Sequence, residues 1–308
     1  MRGSGMTACI RIETTNACNL RCRMCPQSDK KPGVTRGLMK LDLYQSLVDQ
    51  IAAFPENREA LFYLHICGEP LLHKQIVEFI RYAADRGLKP ILTTNATLLT
   101  AELTKKLLAS GLSKIEFSFE GVTPEIFETT RLGAQYDAVH RNILNFLEQN
   151  RAAGKSIRTE LIVVDLPHVD AQLLRDYCEV MRPHFDTVNL SGYFDWLGRV
   201  ETVKYERSHY RVCTATDTDL NVLWDGRVVP CCMDVDGAMV LGDFTKQCYL
   251  EILADLRRHA LRKQLQRGEL KGLLCSQCQV PWGGRMIRET SNDCSKKPGE
   301  GRVLAGAS

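Results

Sequence analysis

No uninterrupted apolar stretch in this chain approaches the roughly 18 residues that a membrane helix needs. Runs such as Leu161 to Val164 end within a few positions, so no bilayer-spanning segment is expected. Nothing at the start resembles a signal peptide either; Met1 to Gly5, ahead of a second methionine at Met6, read as a cloning remnant and are set aside. A one-sided charge is also missing. Forty basic residues against 37 acidic ones leave a formal charge of +3, too balanced for a nucleic-acid or anionic membrane partner. Internal repeats are absent beyond an alternation described below. What the chain does have is apolar content, 44% over 308 residues, enough for one large domain with or without an appendage. It also has thirteen cysteines. An odd count in a long chain without a secretion signal points away from a disulfide framework and toward metal or redox chemistry in a reducing compartment, by default the cytoplasm.

The periodicities alternate. Cys9 to Thr14 reads as a strand, Leu41 to Phe54 as a helix, Leu61 to Ile66 as a strand, Lys74 to Arg86 as a helix closed by Gly87, and Pro90 to Thr94 as a strand. A helix from Ala101 to Ser110 closed by Gly111 follows, then a strand Lys114 to Phe119, a helix Tyr136 to Ala153 closed by Gly154, a strand Ile157 to Val164, a helix Ala171 to Met181 and a strand Thr187 to Leu190. Six βα-type units predict an α/β fold with a parallel sheet or barrel, whose chemistry sits at the C-terminal ends of the strands. The pattern changes after about residue 195. Asp219 to Trp224 and Arg227 to Pro230 read as a hairpin turning at Asp225-Gly226. A helix from Tyr249 to Gln266 precedes Cys275-Ser276-Gln277-Cys278, and the small-residue tail from Gly299 to Ser308 is expected to be flexible.

Three thiols, Cys18, Cys22 and Cys25, fall within eight residues just after the first strand. Cysteine thiolates are the usual ligands of iron–sulfur clusters and a cubane takes four, so a set of three leaves one iron open. Zinc fits less well, because zinc sites supply four ligands, commonly as Cys-x2-Cys pairs. The spacing Cys-x3-Cys-x2-Cys resembles that of the radical S-adenosylmethionine (SAM) enzymes. The resemblance implies a [4Fe–4S] cluster on those three cysteines with SAM chelating the open iron, on a partial (β/α)6 TIM-like barrel spanning residues 6–200. It also implies SAM contacts. Cys67-Gly68-Glu69-Pro70 is similar to the family's Gly-Gly-Glu-Pro, with Cys67 in place of the first glycine. Thr94-Asn95-Ala96 is similar to its Thr-Asn-Gly. Ser118 and Glu120 are placed like residues at the SAM ribose and amino-acid portion, and Arg131 like an arginine clamping the SAM carboxylate with its forked guanidinium. Taken singly, each is equally at home as a structural residue; the case lies in their falling at successive strand ends.

Cys213, Cys231, Cys275 and Cys278 form a second set. With the hairpin between them, they resemble the C-terminal SPASM and twitch extensions of the same family, which implies a small domain over residues 201–295 carrying one auxiliary [4Fe–4S] cluster with four protein ligands, followed by a tail, residues 296–308. A zinc-ribbon reading of this second set stays open. Cys9, Cys67, Cys178, Cys232, Cys248 and Cys294 remain. Most are expected in the core, but Cys232 and Cys248 lie beside the auxiliary set, and the family's epimerases return a hydrogen atom from such a thiol. Tyr193, Asp195, Trp196 and Arg199 follow the last strand and are candidates to line a substrate pocket or to form a packed linker.

The family implies reductive cleavage of SAM and hydrogen abstraction from a bound substrate. An auxiliary cluster that accepts an electron implies oxidation of a carbinol carbon in a sugar, aminocyclitol or similar polyol, with flavodoxin or ferredoxin as electron donor. A peptide substrate is less favoured. Epimerisation through Cys248 or Cys232 is the alternative within the family, and a non-enzymatic iron–sulfur or zinc electron-relay protein is the alternative outside it.

Overall fold

A computed structural model of the chain describes residues 7–27, 34–200, 205–207, 209–280 and 284–286. Strand β1 (Cys9–Ile12) buries Ile10 and Ile12 completely on one face and turns Cys9 and Arg11 to the other, as two-residue alternation requires. A two-residue strand β2 (Arg21–Cys22) lies inside the cysteine loop, ahead of helix α1 (Leu41–Ala52). The alternation then runs through β3 (Leu61–Tyr63), α2 (Ile76–Asp85), β4 (Pro90–Thr94), α3 (Ala101–Leu108) and β5 (Lys114–Ser118). Helix α4 (Pro124–Thr130), capped by the Thr123 hydroxyl, feeds directly into β6 (Arg131–Leu132). Neither element is visible as a periodic pattern in the sequence. After them come α5 (Tyr136–Ala152), β7 (Arg158–Val164), α6 (Ala171–Met181) and β8 (Thr187–Ser191). The three glycines expected to close helices, Gly87, Gly111 and Gly154, all take positive φ.

The C-terminal segment contributes β9 (Tyr205–Arg207), α7 (Ala215–Thr218), β10 (Asp219–Val222), β11 (Arg227–Val229), β12 (Gly242–Asp243), α8 (Tyr249–Leu253), α9 (Leu256–Arg267) and β13 (Gly284–Met286). The single helix expected over Tyr249 to Gln266 is two helices, because the Asp255 carboxylate caps the second by accepting from the Arg257 amide. The hairpin at Asp225-Gly226 is as expected, joining β10 and β11 antiparallel.

Nine strands form one sheet in the order β12-β11-β10-β1-β3-β4-β5-β7-β8. Its six strands β1, β3, β4, β5, β7 and β8 are parallel and in sequence order, the partial (β/α)6 barrel. Strand β10 continues this sheet by pairing parallel with β1, Arg11 opposite Asn221. The described helices α1 and α2 pack on one face of this sheet. Leu47, Val48 and Ile51 of α1 and Phe79 and Ile80 of α2 pack in one core with Ile10, Phe62, Leu92, Phe117 and Leu161 from the strands. Each such side chain is worth about 1.5–3 kcal/mol when fully buried. Tyr44 stacks on Phe79 at 4.0 Å between ring centroids and donates its hydroxyl to the Phe79 carbonyl at 2.9 Å. Among the described residues no helix is long and apolar enough to cross a membrane. With the apolar face sealed by helices, the polar residues at alternate strand positions are left to line the inside of the barrel.

Candidate active site

The cysteine loop is held from both sides. Strand β2 pairs antiparallel with β6, setting Cys22 opposite Arg131. Each thiol of the triad meets a donor: the Leu20 amide (3.4 Å) and Asn95 Nδ2 (3.8 Å) at Cys18 Sγ, and Arg131 Nη1 at Cys22 Sγ (3.9 Å). At Cys25 the donor is the Cys67 thiol, whose hydrogen bond pulls the Cys25 pKa down while its own is pushed up. Burial raises the Cys22 thiol to about 12; Arg131 opposes this, while Cys25 and Cys18 add to it. The three sulfurs therefore sense one another as like charges. Three adjacent thiolates, one buried and two half-buried, repel one another unless a cation lies among them, so the set suits a positively charged ligand such as the iron of a cluster.

The turn after β3 closes onto the base of this loop. Gly68 has φ +89°, and a Cβ there would stand 2.4 Å from the Thr15 carbonyl oxygen and 2.7 Å from that of Ala17; only glycine fits. The Glu69 amide donates to the Ala17 carbonyl at 2.8 Å. Its buried carboxylate accepts from the Leu71 amide (3.0 Å), the Thr94 hydroxyl (2.8 Å) and the Asn95 amide (2.8 Å), and Pro70 begins a short 3-10 turn. Burial raises the Glu69 pKa and these donors hold it back. Ala96, where the family pattern has glycine, keeps the left-handed backbone with φ +58°.

Glu120 and Arg131 differ from expectation in one respect. Arg131 Nε and Nη2 reach the two Glu120 oxygens at 2.6 and 2.9 Å, and both side chains are buried, so the fork expected for a carboxylate of SAM is occupied by Glu120. Glu120 also accepts from the Val164 amide at 3.2 Å, tying the end of β5 to that of β7. Ser118 lies at the end of β5, half-buried. Thus Cys18, Cys22, Cys25, Gly68, Glu69, Asn95, Glu120 and Arg131 meet at one end of the barrel.

The second thiol set also converges. Cys213 and Cys275 pack on one apolar cluster with Leu241, Leu261 and Leu265. Burial and then Cys275 and Cys213 push the Cys278 thiol up to about 11, and burial raises Cys231 further, with Cys232, Cys278 and Cys275 contributing. Four thiols are the number a cubane takes, and Cys232 lies beside them next to Cys231. Among the described residues no three His, Cys, Asp or Glu side chains gather tightly enough to chelate a single ion; a cubane is itself several atoms across and holds its thiolates apart. Cys294 lies outside the described residues.

The two candidate hydrogen donors part company. Cys248 is exposed and caps α8, its amide donating to Glu251 Oε2 at 2.7 Å, with Tyr249 bonded to Gln50 of α1 on the outer layer. Cys232 is half-buried and packs on the apolar cluster of Ile66, Cys67, Leu223, Val229 and Val235, where burial raises its pKa and Arg11 opposes. After β8, the Trp196 indole donates to the Met24 carbonyl at 3.0 Å, latching this loop to the cysteine loop. Tyr193 and Asp195 are buried beside it, and Arg199 pairs with Asp236.

Sequence reasoning missed the inner face itself. Arg11 pairs with Asp219 at 2.9 Å and lies over the Tyr63 ring at 5.4 Å. Glu116 accepts from the Tyr63 hydroxyl (3.3 Å), the Thr93 hydroxyl (2.6 Å) and Lys114 (2.8 Å), and Lys114 also reaches Glu160. A polar residue between two apolar ones, as in Ile10-Arg11-Ile12 or Ile115-Glu116-Phe117, was the available signal.

Residues 12–178 match the family model of the radical SAM superfamily, and residues 213–279 match that of an iron–sulfur cluster-binding domain, SPASM. The chain belongs to the radical SAM superfamily, whose cofactors are SAM and a [4Fe–4S] cluster; the second domain implies additional iron–sulfur clusters. Among curated proteins it is 27% identical over 254 residues to the tungsten-containing aldehyde ferredoxin oxidoreductase cofactor-modifying protein of Pyrococcus furiosus, covering 72% of this chain and 70% of that one. An AdoMet-dependent heme synthase of Methanosarcina barkeri is 32% identical over 122 residues, 40% of this chain and 34% of its own length. Among solved structures, BtrN in complex with AdoMet and 2-DOIA superposes with a TM-score of 0.62 at 20% identity, covering 92% of this chain and 94% of that one. Streptococcus suis SuiB bound to its precursor peptide SuiA gives 0.66 at 14% identity, with 83% and 67% covered. At these identities the structural likeness shows the fold.

Proposed function

We propose that the protein is a radical SAM dehydrogenase that oxidises a carbinol carbon of a sugar, aminocyclitol or similar polyol. The observation carrying this reading is the convergence of four thiols, Cys213, Cys231, Cys275 and Cys278, beside Cys232, which feels the charges of Arg11 and Asp219 on the polar inner face. When bound, SAM on the first cluster supplies a hydrogen-abstracting radical, and a fully ligated second cluster supplies an electron acceptor. Cys18, Cys22 and Cys25 hold the first cluster. Glu69 takes the SAM ammonium, Gly68 and Pro70 shape the turn that carries it, and Asn95, Ser118 and Glu120 line the remainder of the SAM site. Arg131 acts through Glu120 and Cys22, fixing the carboxylate and offsetting thiolate charge. The inner face binds the substrate and shuts out water.

Anaerobic reconstitution with iron and sulfide counting tests the cluster assignment. Wild type should carry about eight irons and a Cys18/Cys22/Cys25→Ala triple variant about four, one cubane each; a triple variant that keeps eight, or a wild type unable to cleave SAM with a competent reductant, would refute it. Epimerisation with Cys232 as hydrogen donor is the second reading, favoured by the thiol's position near the charges of Arg11 and Asp219. The two separate in D2O: epimerisation leaves a solvent deuterium on carbon, and dehydrogenation gives a ketone.

A further inference from the structure

We propose that His65 takes the proton from the reacting hydroxyl and that Asn221 holds the substrate ring opposite it. This rests on the dehydrogenase reading above.

Both residues lie on the inner face, and both keep polar atoms without partners. His65 follows β3 and stands four positions before Glu69; its Nδ1 is enclosed and unpaired, and its ring meets Tyr63 edge-on at 6.0 Å between centroids. Asn221 is 0% exposed, yet neither its amide nitrogen nor its oxygen has a partner. Leaving such a group unsatisfied in the interior costs about 1–3 kcal/mol. Their neighbours on the same face are already engaged: Arg11 with Asp219, and Glu116 with Tyr63, Thr93 and Lys114. Among the described residues of these strands, His65 and Asn221 thus keep free hydrogen-bonding capacity, as does one carboxylate oxygen of Glu13 beyond the end of β1.

Register places them to share one ligand. Arg11 pairs with Asn221 on one side and with Tyr63 on the other, so Asn221 and Tyr63 stand about 10 Å apart across two strand spacings. His65 is the next residue on Tyr63's side of β3, toward the end where the cysteine loop sits. A ring bearing several hydroxyls or amines offers both donors and acceptors to such a pair. An apolar ligand would leave all three atoms unsatisfied.

The chemistry also singles out His65. Burial holds its pKa down to about 4, with Glu116 opposing and Arg11 assisting, so the imidazole is neutral at neutral pH and, in the tautomer protonated at Nε2, offers its Nδ1 lone pair. Arg11 is a permanent cation and cannot accept a proton, while Glu116 is occupied by three donors. In the step itself the substrate C–H bond breaks and its hydrogen atom goes to the SAM-derived radical. The O–H bond then breaks, the proton passes to His65, one electron passes to the auxiliary [4Fe–4S] cluster, and C=O forms; one hydrogen atom, one proton and one electron complete a two-electron oxidation. A weak base suffices, because removing the electron leaves a protonated carbonyl, a far stronger acid than imidazolium.

The test uses reconstituted protein with SAM and two probes, 2-deoxystreptamine and myo-inositol. Calorimetry without reductant should show one of them binding the wild type and binding Asn221→Ala at least ten-fold more weakly; equal binding removes Asn221 from the proposal. With reductant, His65→Gln should still release 5′-deoxyadenosine but form at least ten-fold less ketone per 5′-deoxyadenosine than wild type. An unchanged ratio overturns the role of His65 and leaves the dehydrogenase reading standing, whereas a wild type that binds neither probe brings down both.

Discussion

Replacing Glu120 by Gln preserves the shape of the side chain and removes one charge from a buried pair. Arg131 would then keep its guanidinium, 6% exposed, against an amide that cannot match two N–H donors with two anionic oxygens at 2.6 and 2.9 Å. Breaking a buried ion pair from one side costs about 3–5 kcal/mol, mostly the charge left uncompensated. At the 2–4 °C per kcal/mol typical of larger domains, that is a fall in Tm of about 6–20 °C. Circular dichroism melts of the anaerobically reconstituted protein read it directly. A Glu120→Leu/Arg131→Met double variant removes both charges together and should recover most of the loss. It should not recover SAM cleavage, because the residues proposed to orient Cys22 and line the SAM site are gone. A Glu120→Gln variant melting within about 2 °C of wild type, or a double variant no better than the single one, would refute the reasoning.

Gly68→Ala drives a methyl group toward two carbonyl oxygens at 2.4 and 2.7 Å; SAM affinity by equilibrium dialysis should fall at least ten-fold. Glu13 is fully buried, and burial lifts its pKa from 4.5 to about 8. The native state therefore binds more protons than the unfolded one between those values, and stability falls as pH rises through that window. Glu13→Gln removes the slope, so its Tm gain over wild type should be several degrees larger at pH 8 than at pH 5. Ala96→Gly relieves a left-handed alanine worth about 1–2 kcal/mol and loses a buried methyl worth about 0.8 kcal/mol plus the entropy cost of glycine, about 0.5–1 kcal/mol. The terms cancel, and the melt should move by less than about 3 °C.

Much of the architecture was legible because the core-facing strands are apolar at the positions that matter. Pro90–Thr94 occupies the expected span, and Leu61–Tyr63 and Lys114–Ser118 fall short of it only at their C-terminal ends, where the chain leaves the ladder to build the site. Motif spacing also brought Cys18, Gly68, Glu69, Asn95 and Arg131 to one end of the barrel. It could not show that Arg131 would turn to Glu120, because that depends on the pairing of β2 with β6, two-residue strands without a periodic signature. Nor could it separate Cys232 from Cys248: both adjoin the auxiliary set in sequence, and only the fold packs one on an apolar cluster and sends the other to a helix cap. His65 and Asn221 were hidden for a different reason, since a lone polar residue in an apolar strand reads as noise until the strand's neighbours are known.

The pairing of β10 with β1 has a consequence for how the protein is made. Arg11 and its partner Asp219 are 208 residues apart, so on a ribosome adding about 5–20 residues per second the outer edge of β1 waits about 10–40 s for its cover. An uncovered strand edge is a template for pairing with other chains. During synthesis the first strand therefore passes through a stage exposed to such pairing, and any version of the chain ending before Asp219 would carry that exposed edge permanently.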